Sequence, residues 1–227
     1  METIHKHKGP HPGVLAIIFT LLFNTGLSFV ISFSATTPYY PGPWEPAETI
    51  AAYFQNHADD VLLCAMFQFG AAIPLGLFTA TMVSRLKFLG SNAAGSYIAL
   101  FGGFMTASNL ALSALILWVM AYPGIAQEAP VNRALYYIVY AVGGVGYSVP
   151  LGLLMAGISV NAGFMKLLPK WLVGLGILLA FIGETSWLSL AFPKLLFLIP
   201  LTRFPGFIWL IIVGFKLPNS ISKGTSE

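Results

Sequence analysis

The sequence predicts an all-α protein, a polytopic membrane bundle of six transmembrane helices with a short extracytoplasmic helix at the interface. Three observations carry this reading. Of 227 residues, 57% are hydrophobic and only 8% are charged, whereas a soluble domain carries about 25% charged residues. So few charges cannot cover a water-facing surface. Six apolar runs follow one another, each long enough to cross a hydrocarbon core of about 30 Å. The basic residues also collect at alternate ends of those runs, as the positive-inside rule requires.

Residues 1–12 form a short polar tail with Lys6 and Lys8, read as cytoplasmic. The first span, 13–35, outruns the roughly 7–15 apolar residues of a signal-peptide core, so it is expected to remain as a helix. Residues 36–60 are rich in proline and aromatics, with Tyr39, Tyr40 and Trp44 suited to an interfacial belt. Within them 47–55 is expected to be an amphipathic surface helix, because Ile50, Tyr53 and Phe54 fall on one face. The second span, 61–83, ends in Ser84-Arg85-Leu86-Lys87. The third is 94–120 and the fourth 135–164, followed by Lys166 and Lys170. The fifth, 171–192, contains Glu184, and the sixth, 195–215, contains Arg203. The transmembrane domain thus covers 13–217, and 218–227 is a second cytoplasmic tail.

With the N-terminus inside, Lys6, Lys8, Arg85, Lys87, Lys166, Lys170, Lys216 and Lys223 are cytoplasmic, and only Arg133 and Lys194 lie outside. That bias places both termini in the cytoplasm. Gly70-Ala-Ala-Ile-Pro74-Leu-Gly-Leu in the second span parallels Gly146-Tyr-Ser-Val-Pro150-Leu-Gly-Leu in the fourth. This is either a duplicated hairpin or the ordinary frequency of glycine and proline in membrane helices. On both readings bends are expected near Pro74, Pro150 and Pro200.

Pro74-Leu-Gly-Leu-Phe-Thr-Ala, Ser84-Arg-Leu-Lys-Phe-Leu-Gly, Ile98-Ala-Leu-Phe-Gly-Gly, Leu167-Leu-Pro-Lys-Trp-Leu and Leu201-Thr-Arg-Phe-Pro-Gly-Phe-Ile-Trp-Leu carry a likeness that covers nearly the whole chain. Together they resemble a family of small bacterial six-helix integral membrane proteins that is uncharacterised, a domain of unknown function. The resemblance implies a bacterial cytoplasmic (inner) membrane location; it implies no activity and no site residues.

Candidate chemistry starts from charge at depth. Glu184 and Arg203 each lie eight residues from the outer end of their span, about 12 Å down at 1.5 Å per residue. Charges so deep are expensive and are normally paired or functional. The matched depths predict a direct Glu184–Arg203 pair, serving either as structural glue or as part of a site. Gln68, Asn109, Asn24 and Trp187 fall near the same level. They form either a polar, outward-opening pocket around the pair or dispersed interhelical hydrogen bonds. Residues 56–60 (Asn-His-Ala-Asp-Asp) read as a helix boundary rather than a metal site. Gly102-Gly103 and Gly143-Gly144 read as close-packing positions.

Several classes are disfavoured. Cys64 is the lone cysteine, so an intrachain disulfide is excluded. All four histidines (His5, His7, His11 and His57) lie outside the spans, so no haem, no metal and no other cofactor is expected. No catalytic constellation is visible, which argues against an enzyme. A net charge of +3 gives no ground for nucleic acid. The expectation is a protein that binds or transports a small polar, zwitterionic or ionic ligand around Glu184 and Arg203, with residues 36–60 as a cover and membrane lipid as its surroundings. The alternative is an interaction subunit that packs with membrane-protein partners, or as a homo-oligomer, and binds nothing small.

Overall fold

A computed structural model describes residues 3–31 and 40–223. The end of the expected first span, 32–35, and the start of the outer segment, 36–39, lie outside the described residues. The helices are α1 (Pro12–Val30), α2 (Ala47–Asn56), α3 (Ala58–Phe88), α4 (Gly95–Met120), α5 (Pro123–Ala126), α6 (Ala129–Gly143), α7 (Val145–Phe164), α8 (Lys170–Thr185) and α9 (Leu198–Lys216). Two strands, β1 (Thr3–Lys6) and β2 (Ser220–Lys223), stand at the ends of the chain. Six helical units, Pro12–Val30, Ala58–Phe88, Gly95–Met120, Ala129–Phe164, Lys170–Leu190 and Pro193–Lys216, are long and apolar enough to cross a membrane. This is the pattern of a multi-pass membrane protein. Leu21, Phe101, Phe181 and Ile208 stand exposed on the outside of the bundle, where lipid rather than water is the favourable solvent.

Local chemistry starts and stops these helices. Pro12 occupies the first turn of α1, where an N–H has no helical partner anyway. There the His11 ring accepts a hydrogen bond from the Gly13 N–H at 3.2 Å. The chain then closes into a ring in which α1 packs on α3, α3 on α4, α4 on α7, α7 on α8, α8 on α9 and α9 back on α1. The core of the ring holds Phe19, Leu75, Phe78, Tyr147, Leu151 and Trp209. The glycines of α4 set its spacing. A Cβ on Gly102 would stand 2.6 Å from the backbone of Pro150 and Leu154, and one on Gly103 would meet the Thr79 side chain. These are the close-packing positions expected of that pair. The helix expected over 47–55 is α2, with Ile50 and Phe54 fully buried and Tyr53 nearly so. Its apolar face joins Val61, Leu117 and Tyr136 in a second cluster. His57 separates α2 from α3, so 56–60 is a helix boundary.

Four features depart from the sequence reading. The fourth span is not continuous: it breaks at Gly144, whose φ of −92° and ψ of −93° leave the helical region. Gly143-Gly144 is therefore the break between α6 and α7, not simply a packing contact. The hairpin between the last two spans is not built of straight α-helix, because 3-10 turns at Ser186–Leu190 and Pro193–Phe197 cap it. Pro74 and Pro150 stand inside α3 and α7 as expected, but Pro200 falls in the first turn of α9 and the interior proline there is Pro205. A proline in a first turn removes no α-helical bond, so it starts the helix instead of bending it. Finally, the two ends of the chain are not separate tails. β1 and β2 pair antiparallel, with Thr3 opposite Lys223 and Lys6 opposite Ser220.

Candidate functional site

In the half of the bundle remote from the paired termini lies a cavity of about 380 Å³. Its wall is drawn from α1, α3, α4, α6 and α9, and from residues 40–44. Most of that wall is aliphatic or aromatic. Arg203 is the one formal charge among the described lining residues, with Gln68 and Ser113 as polar neighbours.

The position of Arg203 follows from the break in the fourth span. At Gly144 the ladder restarts: the Tyr147 N–H donates to the Gly144 carbonyl (3.2 Å). The Gly143 carbonyl, in the last turn of α6, is one of the acceptors that a helix end leaves unsatisfied. An Nη2 hydrogen of Arg203 fills it. The guanidinium lies 4.6 Å from the Tyr147 ring centroid and 5.4 Å from that of Phe23, cation–π distances that hold a charge away from water. A Cβ on Gly143 would stand 2.5 Å from the Ser113 hydroxyl, so a side chain there would displace it.

Gln68 and Ser113 are tied to backbone on neighbouring helices. The Gln68 amide donates to the Phe23 carbonyl (3.3 Å) and the Ser113 hydroxyl to that of Val139 (3.2 Å). At the mouth, the Tyr136 hydroxyl donates to the Pro41 carbonyl at 2.7 Å. That bond anchors residues 40–44 to α6. Tyr40 packs edge-on against Tyr53 and Tyr136, and Trp44 against Tyr140. Burial, then the neighbouring phenols and the Cys64 thiol, push the Tyr40 phenol well above its usual range. Burial and the Asp60 carboxylate push that of Tyr53 up to about 12. Both phenols stay neutral at any physiological pH.

Of the six residues singled out from sequence, Arg203 and Gln68 line the cavity. The other four do not. Asn109 donates to the Gly146 carbonyl, the group that would have bonded residue 150 had it not been proline. Asn24 donates to Thr20 within its own helix at 2.7 Å. Trp187 stands 56% exposed on the outside of a 3-10 turn. Glu184 lies in the α7–α8 seam against Gly152, its Oε1 buried without a hydrogen-bond partner among the described residues.

The expected Glu184–Arg203 pair is not formed. Among the described residues the one ion pair is His57 with Asp60 at 3.6 Å, which needs a protonated ring. Matched depth fixes a position along a helix axis but not a direction around it. Glu184 faces α7, whereas Arg203 faces Gly143 and the bundle interior. Tyr40 and Trp44, read from sequence as interfacial aromatics, line the cavity; what sequence reasoning missed is the α6 part of that aromatic wall, Tyr136 and Tyr140. The signal was present in Tyr136 and Tyr140, four residues apart and therefore on one helix face.

Comparison with protein-family models, with curated proteins and with solved structures found no match.

Proposed function

We propose that this is a bacterial inner-membrane protein, with both termini in the cytoplasm, that binds or transports a small anionic ligand through Arg203. The observation that carries the reading is a permanently charged guanidinium in the wall of a 380 Å³ cavity, with no acidic residue among the described lining. Cavities of about 300–1,000 Å³ with few polar groups are the usual form of small-molecule sites. A buried ionisable group within a span is by default a functional one. Glu184 takes no part in this site. The Tyr40–Trp44 stretch, held by the Tyr136–Pro41 bond, covers the outer side of the cavity. The orientation rests on the basic residues; the pairing of β1 with β2 supports only that both ends share one face.

Native mass spectrometry of the full chain, extracted in mild detergent, tests the reading. The expected result is a retained small anionic adduct that Arg203→Gln loses. Retention of partner proteins alone, with no small adduct in any preparation, would favour the interaction-subunit reading instead.

A further inference from the structure

The walls around Arg203 narrow the ligand class, on the premise of the anion-binding reading above. We infer that the occupant is an amphiphilic organic monoanion: one carboxylate held by Arg203, and an uncharged apolar body lying along the aromatic and aliphatic wall.

The argument has three parts. The first is charge. Arg203 is the single cation among the described lining residues and no acid faces it there. A monoanion neutralises it, whereas a dianion leaves one negative charge buried without compensation. A zwitterion such as a free amino acid needs a carboxylate for its ammonium group. Among the described residues none lines the cavity: Glu184 sits in the α7–α8 seam away from it, and Glu45, beside the mouth, accepts from the Gly42 N–H.

The second part is geometry. The Arg203 guanidinium lies over Tyr147 and Phe23 and spends one Nη2 hydrogen on Gly143. Its Nε is buried and has no partner among the described residues. Guanidinium donors that remain form a planar fork suited to the two oxygens of a carboxylate.

The third part is the body of the ligand. Beyond Arg203 the cavity offers Leu27, Leu110, Leu117, Val139, Tyr140 and Trp44. Hydroxyls that could hold a sugar or polyol are few, and two are committed: Ser113 to Val139 and Tyr136 to Pro41. A small hydrated anion such as phosphate would lose its water against these walls and gain little in return. An apolar body gains from the same burial.

The test uses the full chain in lipid nanodiscs and ligand-dependent thermal shifts. The probes are decanoate and indole-3-acetate; decanol and indole as uncharged counterparts; acetate and inorganic phosphate as anions without an apolar body; leucine as a zwitterion; and decyltrimethylammonium as a cation. The expected result is saturable stabilisation by decanoate or indole-3-acetate, about tenfold or more tighter than by its uncharged counterpart and by acetate. Arg203→Gln should abolish that preference. Should Arg203→Gln fail to fold, Val139→Trp fills the cavity with the arginine retained and should abolish binding of both acids.

Preference for decanoate points to a lipid-derived acid and preference for indole-3-acetate to a soluble aromatic one; either supports the inference. Acetate, phosphate or leucine binding as tightly as the amphiphilic acids overturns the inference but leaves the anion reading standing. Preference for the cation, or no saturable binding by any probe, overturns both.

Discussion

Arg203 and Glu184 show how differently two charges at one depth can be held. Arg203 lies over two neighbouring aromatic rings and is bonded to the carbonyl of a broken helix, whereas Glu184 is wedged against a glycine. Because they do not touch, the two sites should behave independently. Arg203→Gln should cost about 1–3 kcal/mol by orphaning the Gly143 acceptor. Combined with Glu184→Gln it should show less than about 0.5 kcal/mol of coupling in a double-mutant cycle read by thermal unfolding. Strong coupling would restore the direct pair that the structure lacks.

His7 offers a second residue-scale prediction. Its Nε2 lies 3.0 Å from the Ser84 hydroxyl, and burial, then the charge of Arg85, lowers its pKa below the ordinary 6.5. The folded state therefore favours the neutral ring. Its contribution is full above pH 6.5 and is lost as pH falls through the lowered folded value. Thermal stability should fall more steeply below pH 6.5 in the wild type than in His7→Gln.

At the scale of elements, polar side chains repair interruptions in the helices. Pro150 has no N–H, which frees the Gly146 carbonyl, and Asn109 of α4 supplies the missing donor. Asn109→Ala should cost about 1–3 kcal/mol. The same change in a Pro150→Ala background should cost measurably less, because residue 150 then donates to Gly146 itself. Equal costs in the two backgrounds would show that Asn109 does not serve this purpose. The α4–α7 seam makes a parallel case. Gly102→Ala forces a methyl to within 2.6 Å of the α7 backbone and should cost about 1–3 kcal/mol. Gly70→Ala meets nothing within 4 Å and should be neutral or slightly stabilising. Unfolding midpoints of the two variants make the comparison.

For the molecule as a whole, the pairing of β1 with β2 holds the two ends on one face, as an even number of spans requires. In a Cys64→Ser background, Asn92→Cys should label with an impermeant thiol reagent from the face carrying the termini. Glu48→Cys should label only from the opposite face. Labelling of both from one side of intact cells would break the six-span topology.

The six helices long and apolar enough to cross a membrane and the helix over 47–55 were legible in the sequence. Apolar length and the 3.6-residue period are local properties, and lipid imposes them on each segment separately. Arg203 and Gln68 were legible as well, since a polar group within an apolar run stands out wherever it points. Tertiary structure alone decided which of them meet. Depth is readable from residue counting, but the angle around a helix depends on neighbours. The 3-10 turns between α8 and α9 set how the faces of those two helices are rotated relative to each other, and the break at Gly144 exposes the carbonyl that Arg203 meets. Tyr136 and Tyr140 carried a local signal in their spacing, but the assembled aromatic wall and the joined termini did not: each brings together residues far apart in the chain, and only the closing of the ring makes them neighbours.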